Sequence, residues 1–518
     1  MKSDYSRSLY KEYELVLSEK EKLEAEHRAL RVEYQLMQKE VLRLKEKETE
    51  LLEKTARMEN ENIELTRENL RLKALLNTDG TNSGLPTSRT PLNKRKVIPN
   101  TREKTGRHIG GQKGHPKRKL EAFAEEEITE NEIHVPECCP YCGSHEIEET
   151  GKSITKDELD YEIVVVKKRH HYPECTCSKC GRNFRREIPS HLKEENQYGP
   201  NVQVLALALM NVGNVSINKT RKMIYGFSEE DIDPSEGYIA KLEKKAAKLL
   251  EPFLDGLKKR CLQLGTVYWD DTVIAVNTRR ACLRFYGDEK TALYKAHLHK
   301  DKEGIDQDGI LQSLAKETVV MHDHNKVNYN EDYGFTNVEC NVHLLRDLQK
   351  TTDNLGHEWS SELKKLLVET NAARNKAIEE GKEEFTDEYV KKFFEEYDRI
   401  MLLALDENRK DYNRYYGKDE QTLILRIAAY KENYLAWVTN FDLPFSNNLS
   451  ERALRGVKSK MKIAGQFQSE ESAGWYAAIK SYTETCMRNG INEIDALSRL
   501  CRGKPYTIAE IYAQQNDE

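Results

Sequence analysis

Residues 9–77 place an apolar side chain at every seventh position. This row contains Leu9, Val16, Leu23, Leu30, Met37, Leu44, Leu51, Met58, Leu65 and Leu72. A second row, four residues later, is partly polar and includes Asn62 and Asn69. The period predicts a coiled coil with the first row at d and the second at a, and asparagine at a favours a defined register and two strands. The alternative is a single long helix packed on its own protein; we favour dimerisation.

Residues 198–255 have a helical pattern of apolar positions. Val202–Met210 predicts one helix and Ile217–Tyr225 a second, and Asp233–Tyr238 predicts the capped start of a third with proline in its first turn. Lys219, Arg221 and Lys222, if exposed, are compatible with a helix-turn-helix-like DNA-binding domain. A plain helical spacer fits these residues equally well.

Thr266–Val276 is rich in β-branched and aromatic residues, which predicts a strand. Further patterns predict strands at Ala281–Gly287 and Thr291–His297, a helix at Gln307–Lys316 and a strand at Thr318–Asp323. Three strands, a helix and a returning strand match the order of a ribonuclease-H-like α/β domain, in which the first and returning strands are neighbours. The charged helical region that follows, to about residue 435, is interpreted as an insertion.

Three acids fall at informative places in this pattern. Asp270 interrupts the first strand, Asp323 ends the returning strand, and Glu451 lies at the start of a predicted helix. A carboxylate in a strand that favours burial is costly unless a cation or a partner compensates it. Carboxylates are the ligands that Mg²⁺ prefers, and phosphodiester chemistry gains from divalent ions. We therefore expect the three to hold metal for phosphoryl transfer on DNA. The alternatives are a strand-end cap for Asp323 and an ion pair with a nearby arginine for Glu451.

Length, composition and cysteine pattern limit the class of protein and the cellular compartment. The chain has 518 residues, enough for several domains, with 33% charged and 38% hydrophobic residues and a net charge of -6. The N-terminus lacks a signal-peptide core, and the longest apolar run, Val204–Met210, is too short to span a bilayer. Six of the eleven cysteines fall in two tight clusters, which predicts a reducing compartment and a metal rather than a disulfide scaffold.

Basic residues are concentrated in residues 80–120, which contain eleven Lys and Arg and a single acid, Glu103. With many Gly, Pro, Ser, Thr and Asn residues, this stretch is predicted to be a linker without a core. The cations within it are candidates for contact with DNA phosphates: Arg107, Lys113, His115, Lys117 and Arg118. A merely solvated basic tether is the alternative. It is not a Walker loop, because no Gly-Lys-Ser/Thr follows.

Two Cys-x-x-Cys-Gly segments contain Cys139, Cys142, Cys177 and Cys180. Paired thiolates two residues apart, each followed by a glycine that allows the turn, predict a structural tetrahedral Zn²⁺ site. A strand predicted at residues 161–167 between them suggests a zinc-ribbon-like module. A redox dithiol pair is the alternative. Cys138 and Cys175 lie nearby in the sequence and could replace one of the four cysteines as a ligand.

The segment Pro444–Arg455 carries the most specific resemblance. Its Asn447-Asn448-Leu449-Ser450-Glu451-Arg452 resembles the Asp-Asn-Asn-x-x-Glu-Arg box of the transposases of the insertion-sequence sixty-six family (TnpC type). The Gly-rich box at 110–115, Asp270-Asp271-Thr272 and the Cys-x-x-His-x-x-Arg segment 340–346 also resemble that family, so the likeness covers nearly the whole chain. Asp271 stands where Glu is usual, which leaves open which acid of the first strand binds metal, and Ser446 stands where Asp is usual.

This resemblance implies a DDE transposase with Asp270, Asp323 and Glu451 as its triad and Mg²⁺ or Mn²⁺ as cofactor. It implies cleavage at the ends of a mobile element and strand transfer into target DNA, in the cytoplasm of a bacterium. Arg452 and Arg455, about one helical turn apart, are candidates for phosphate contact, or for structural ion pairs. DNA, a second copy of the chain and accessory transposition proteins are the expected partners, with no membrane.

The expected architecture is multidomain α+β. It consists of a coiled coil (1–78), a basic linker (79–120), a zinc module (121–195), a helix-turn-helix-like domain (196–260), a catalytic core in two parts (261–345 and 441–500) around a helical insertion (346–440), and a tail (501–518). Rival functions are a catalytically silent dimeric DNA-binding protein derived from a transposase, a metal-dependent DNA nuclease, and a coiled-coil scaffold.

Overall fold

The structure is a computed structural model. It describes residues 123–513 except 149, 153, 190, 191 and 193, and, nearer the N-terminus, residues 13, 15, 16, 19, 20, 66, 68, 69 and 71–73. The strands are β1 (Cys175–Thr176), β2 (Asn183–Phe184), β3 (Thr266–Val276), β4 (Arg279–Gly287), β5 (Ala292–His297), β6 (Val319–His322) and β7 (Thr336–Glu339). The α-helices are α1 (Pro200–Leu207), α2 (Ile217–Phe227), α3 (Glu236–Leu249), α4 (Glu251–Cys261), α5 (Lys302–Asp308), α6 (Asn341–Leu355), α7 (Glu358–Glu379), α8 (Asp387–Asp411), α9 (Gly417–Ala429), α10 (Lys431–Thr439), α11 (Asn448–Ala464), α12 (Glu470–Arg488), α13 (Glu493–Cys501) and α14 (Ile508–Ala513).

A mixed five-stranded sheet in the order β5-β4-β3-β6-β7 is the centre of the α/β domain. Strands β3, β4 and β5 are joined as an antiparallel meander, whereas β6 pairs with β3 in parallel, with Tyr268 opposite Met321. The prediction that the first and returning strands are neighbours is confirmed. The sheet is compatible with the predicted ribonuclease-H-like domain. Strand β7, parallel to β6, was not predicted.

The helix between β5 and β6 differs from the predicted one. The prediction of a helix over Gln307–Lys316 is wrong, because α5 begins at Lys302, where Asp301 accepts a hydrogen bond from the Gly304 amide, and ends at Asp308. Gly309 follows with a φ of 67°, a left-handed conformation that terminates helices and suits glycine.

The helical region before the sheet contains the predicted helices with different boundaries. The first continues from α1 into a π-helical turn, Ala208–Val212. The cap of α3 is Ser235, whose side chain accepts from the Tyr238 amide, so the predicted cap is present but Pro234 precedes it and the prediction of proline in the first turn is wrong. Asp233 receives two hydrogen bonds from Arg221, at 2.7 and 2.8 Å, so Arg221 is engaged in a structural ion pair while Lys219 and Lys222 are exposed.

Helix α11 packs along the sheet and is attached to β3 at both ends. Its residues Leu449, Ala453 and Val457 share a buried cluster with side chains of β3, β4 and β5. At its start, the buried Asn447 donates from Nδ2 to the Trp269 carbonyl at 2.9 Å. After its end, the Phe467 amide donates to the Ala275 carbonyl at 2.8 Å. These bonds fix the helix relative to the strand that carries Asp270.

The C-terminal segment, predicted as a tail, is partly built into the core. Helix α14 buries Ile511 completely, and the Tyr512 hydroxyl lies 2.8 Å from the Thr291 hydroxyl. The prediction of a tail over 501–518 is therefore wrong for the described residues of this segment. Its sequence is too short to show an apolar period clearly, which explains the error.

The described residues form two compact units. One contains the described residues before position 95 together with Asp347–Leu363 and Asp398–Arg426, and the other contains the described residues from 123 to Arg346, together with Lys364–Tyr397 and the described residues from Ile427. In the first unit, His357 lies between Glu420 and Asp411, at 2.7 and 3.0 Å. The second unit holds the whole sheet.

Near the N-terminus, the described residues of the predicted coiled coil are helical, and Val16 and Leu72 are exposed within one chain. The rest of that prediction lies outside the described residues. In the cysteine-rich region, the prediction of a strand at 161–167 is wrong. No strand pairing forms there, and Ile163, Val164 and Val166 are exposed, since β propensity without a partner strand does not make a strand. Among the described residues, no helix is both long and apolar enough to cross a bilayer.

Candidate active site

Strand β3 directs its two adjacent acids to opposite faces. Alternation along the strand puts Asp270 on the face of Ile274 and Val276, which pack in the same cluster as α11. Asp271 points the other way, where Lys300 Nζ lies 2.6 Å from its Oδ1. Only Asp270 therefore faces the side of the sheet on which Glu451 is found.

Asp323 follows β6 directly and lies close to Asp270, because β6 is the parallel neighbour of β3. Burial and then the charge of Asp323 raise the pKa of the Asp270 carboxyl to about 8, while the Asp271 amide and Lys458 act in the opposite direction. Ionisation of both carboxylates is unfavourable here, because their negative charges repel each other unless a cation lies between them.

His343 lies between the other two acids. Its Nδ1 is 2.9 Å from Asp323 Oδ1, and its Nε2 is 3.9 Å from Glu451 Oε1. Burial lowers the pKa of His343, but Asp323 and Cys340 outweigh this and raise it to about 10. The Arg346 guanidinium acts in the opposite direction. Its Nη1 lies 3.1 Å from His343 Nε2, and a cationic donor at this distance disfavours a proton on that nitrogen. Asp323 and Glu451 thus both lie near one imidazole, and Asp270 lies next to Asp323 on the neighbouring strand; among the described residues, the ligand atoms of the three acids do not all lie within 4.8 Å of one another.

Several polar atoms at this position lack hydrogen-bond partners. Asp323 Oδ1, His343 Nδ1 and Glu451 Oε1 are buried atoms for which the described residues provide no well-aligned hydrogen bond. The 2.9 Å distance between the first two is short enough, but the direction of the ring N–H does not fit, so we treat it as a close electrostatic contact. Carboxylate oxygens left without donors are a donor set suited to a divalent cation such as Mg²⁺.

Asn447 and Cys340 are buried contacts beside the site; the sequence motifs contained both residues, but sequence reasoning gave neither side chain a role. The Asn447 amide donates to Cys340 Sγ at 3.2 Å, and its side chain donates to the carbonyl that precedes Asp270. The Glu451 amide donates to the Asn447 carbonyl at 3.2 Å. The only sequence signals were the Asn-Asn pair before Glu451 and the Cys-x-x-His spacing.

Helix α11 presents basic residues beyond Glu451. Arg452 and Arg455, both predicted, are exposed, and so are Lys458 and Lys462, which were not predicted. Arg455, Lys458 and Lys462 follow Glu451 by four, seven and eleven residues, so they lie on one face of the helix. That spacing could have identified the two lysines. The predicted DNA-contacting residues Arg107, Lys113, His115, Lys117 and Arg118 lie outside the described residues.

The two Cys-x-x-Cys-Gly turns have the same backbone geometry. In each, the glycine amide donates to the carbonyl of the first cysteine, at 2.9 and 2.8 Å, and the glycine has a φ of 73° or 68°. Backbone N–H groups lower the pKa of Cys139 and of Cys177. Among the described residues, no three sulfurs of Cys139, Cys142, Cys177 and Cys180 lie within 4.8 Å of one another. The zinc site remains a prediction.

A family model described as "Transposase IS66 family" matches residues 199–474, which is 276 of the 518 residues. The match covers the helical region, the sheet, the inserted helices and α11. No curated protein matches the chain. Because the match spans more than half of the sequence and includes the box around Glu451, the chain belongs to the IS66 family of transposases.

Proposed function

We propose that this transposase cuts DNA at the ends of its element and joins them to target DNA by Mg²⁺-dependent phosphoryl transfer, with Asp270, Asp323 and Glu451 as metal ligands. The observation that carries the proposal is that Asp323 and Glu451 each have a carboxylate oxygen near His343 that lacks a donor, while the charge of Asp323 acts on the buried Asp270 of the neighbouring strand. Family membership supports the same reading. Mn²⁺ could replace Mg²⁺ on the same ligands.

The reaction has two steps. A water oxygen attacks the phosphorus at the element end, the bond to the bridging 3′ oxygen breaks, and that oxygen leaves as a 3′-hydroxyl after protonation. The 3′-hydroxyl then attacks a target phosphodiester, forming one new P–O bond and releasing a target hydroxyl. Bound divalent metal supplies activation of the attacking oxygen and stabilisation of the leaving oxygen.

The chain's own residues orient and neutralise the reactants. The three carboxylates bind the cation, while Asn447 holds the start of α11 against β3 and so keeps Glu451 on the face of the sheet that carries Asp270. Arg452, Arg455, Lys458 and Lys462 are exposed near this site and would contact phosphate oxygens. We assign Cys139, Cys142, Cys177 and Cys180 to a structural Zn²⁺ site because both turns direct backbone donors at a thiol.

The test uses the full chain, duplexes that carry the element ends, and Mg²⁺. Asp270→Asn, Asp323→Asn and Glu451→Gln should each abolish cleavage, because each removes a metal ligand, and should leave DNA binding in place. Gel assays of cleavage and joining, with binding measured in parallel, provide the readout.

Asp271→Asn is the matched control. It changes the neighbouring acid, whose partner is Lys300, and should retain cleavage. Loss of cleavage in this variant alone would contradict the assignment of Asp270. Cutting without joining would indicate a nuclease, and DNA binding without cutting would indicate a catalytically silent protein.

A further inference from the structure

Asp323, Cys340 and His343 offer three different donor atoms at one place. One ligand atom from each residue lies within 4.8 Å of the other two. Cys340 is almost fully buried, whereas the Asp323 and His343 side chains are 31% and 35% exposed. The thiol is therefore the most buried of the three groups, and the other two side chains are partly exposed while their facing atoms, Asp323 Oδ1 and His343 Nδ1, are buried.

Two contacts indicate that this group is arranged for a cation. The Asn447 backbone amide donates to Cys340 Sγ at 3.2 Å, a contact that stabilises a thiolate. His343 Nδ1 and Asp323 Oδ1 converge to 2.9 Å without a well-aligned hydrogen bond. Ligands bound at about 2.0–2.2 Å to one zinc ion lie roughly 3–3.5 Å apart, so little movement is needed.

We infer that Asp323, Cys340 and His343 form a binding site for a thiophilic transition metal, with Zn²⁺ as the occupant. A thiolate, an imidazole and a carboxylate form a mixed set that suits Zn²⁺, whereas Mg²⁺ takes oxygen ligands. Three protein ligands leave a fourth tetrahedral position for water. The site is separate from the four-cysteine site proposed for residues 139–180.

Binding changes the surroundings of the His343 ring. With Zn²⁺ on Nδ1, the ring proton lies on Nε2 and faces Glu451, a carboxylate of the kind that orients metal-bound histidines. The 3.1 Å contact of Arg346 with Nε2 must then be lost, because two donors would face each other. Arg346 is half-exposed, so its side chain has room to turn.

The consequence for catalysis rests on the proposed function. Asp323 is a member of both ligand sets, so Zn²⁺ on Cys340 and His343 holds a carboxylate that the Mg²⁺ site requires. Zinc should therefore inhibit Mg²⁺-dependent cleavage by the full chain.

The binding test compares zinc content per full-length chain after equilibration in zinc buffers. Wild type should bind roughly one more ion than Cys340→Ser and than His343→Gln, since each variant removes one of three ligands. Cys501→Ser is the matched control, a buried cysteine on α13, and should keep the wild-type content. His343→Gln changes a half-exposed residue and provides the answer if Cys340→Ser does not fold. Equal zinc content in wild type and both variants would overturn the site.

The inhibition test measures Mg²⁺-dependent cleavage against free zinc, with each protein compared with its own zinc-free rate. Wild type should lose cleavage over the zinc range that fills the site, and His343→Gln should need more zinc. Cleavage that persists when the zinc site is filled would contradict the inference that bound Zn²⁺ withholds Asp323 from the Mg²⁺ site. If wild type does not cleave even without zinc, the proposed function fails, and zinc content still decides the binding site.

Discussion

Asn447 connects three parts of the candidate active site through one buried residue. Its amide contacts Cys340, its side chain holds the Trp269 carbonyl, and its own carbonyl accepts from the Glu451 amide. Strand β3, the start of α6 and the start of α11 therefore share one polar anchor. We regard Asn447 as a positioning residue, because the contacts made by its side chain are to the protein and not to a carboxylate of the triad.

Replacement of Asn447 by alanine should weaken both stability and cleavage. The Trp269 carbonyl loses the hydrogen bond from Asn447 Nδ2 inside the core, which costs about 1–3 kcal/mol of unfolding free energy. The cleavage rate at saturating DNA should fall more than the affinity for DNA, because the triad is displaced while the DNA-contacting face remains. Urea unfolding and single-turnover cleavage measure the two effects.

The neighbouring Asn448 provides the control, since it is exposed and also begins α11. Asn448→Ala should change stability and cleavage little. If Asn447→Ala keeps the wild-type cleavage rate at saturating DNA while its stability falls, the residue is structural only and does not position the triad.

At this scale, sequence reasoning identified the acids but not their contacts. Asp270 and Asp271 are identical in chemistry and adjacent, so only the alternation of strand faces, once the strand register is known, separates them. The role of His343 between Asp323 and Glu451 depends on residues more than a hundred positions apart. No local pattern contains that information.

Among the elements, the unit that contains Asp347–Leu363 and Asp398–Arg426 depends on a buried histidine. His357 contacts Glu420 at 2.7 Å and Asp411 at 3.0 Å, and Trp359 Nε1 also donates to Glu420 at 2.7 Å. Burial lowers the pKa of His357, but the hydrogen bonds to Asp411 and Glu420 outweigh it, so the pKa is raised. The imidazole ring joins two acids on different helices.

The stability of this unit should therefore depend on pH. A raised pKa in the folded state means that the contribution of His357 is complete below the unfolded value of about 6.5 and is lost as the pH rises through the folded value. His357→Gln should remove that dependence. Hydrogen exchange in residues 398–426, corrected for the intrinsic effect of pH, measures it; parallel pH profiles in both proteins would contradict the role of His357.

Helix α11 provides a second prediction for an element. Arg455 and Lys462 lie on the face that continues from Glu451, and each contact with a phosphate releases counterions. Arg455→Ala combined with Lys462→Ala should weaken DNA binding at all sequences. Each lost contact should reduce the slope of log affinity against log salt by about 0.9.

Titrations of binding at several salt concentrations measure this slope. The control is Lys365→Ala, which removes an exposed cation on α7, where Glu369 is its neighbour. An unchanged slope in the α11 variant would show that Arg455 and Lys462 do not contact DNA phosphates.

Sequence periodicity predicted most elements around the sheet but not all of their ends. Gly309 ended α5 earlier than the apolar pattern suggested, because a left-handed glycine overrides propensity. Strand β7 was missed because its four residues include Asn337 and Glu339, polar residues that bind neighbours after folding. Short polar strands carry almost no local signal.

For the whole molecule, the topology was predictable because chain order limits how strands can pair. A meander followed by a helix and a returning strand leaves few arrangements, and the parallel pairing of β3 with β6 is the one found. The contribution of α14 to the core could not be predicted, since it depends on contacts with Thr291 across the chain. Long-range packing of short segments is set by the folded shape.

The heptad pattern of residues 9–77 gives a prediction for assembly. Removal of residues 1–78 should convert a dimer into a monomer, because the apolar row that would be buried between two chains is lost. Sedimentation equilibrium measures the mass. As a control, replacement of Asn62 and Asn69 by leucine should keep association but relax its stoichiometry, and a truncated chain that stays dimeric would place the interface elsewhere.

The inserted helices leave and rejoin the sheet domain at neighbouring points. Asn341 Nδ2 donates to the Tyr434 carbonyl at 2.8 Å, and Asn433 Nδ2 donates to the Asn337 carbonyl at 2.8 Å. These two bonds hold the first and last parts of the inserted segment against the same strand end. The exposed turn at residues 380–383, which contains Gly381 at a φ of 77°, is a suitable place to graft a fluorophore tag or an affinity handle.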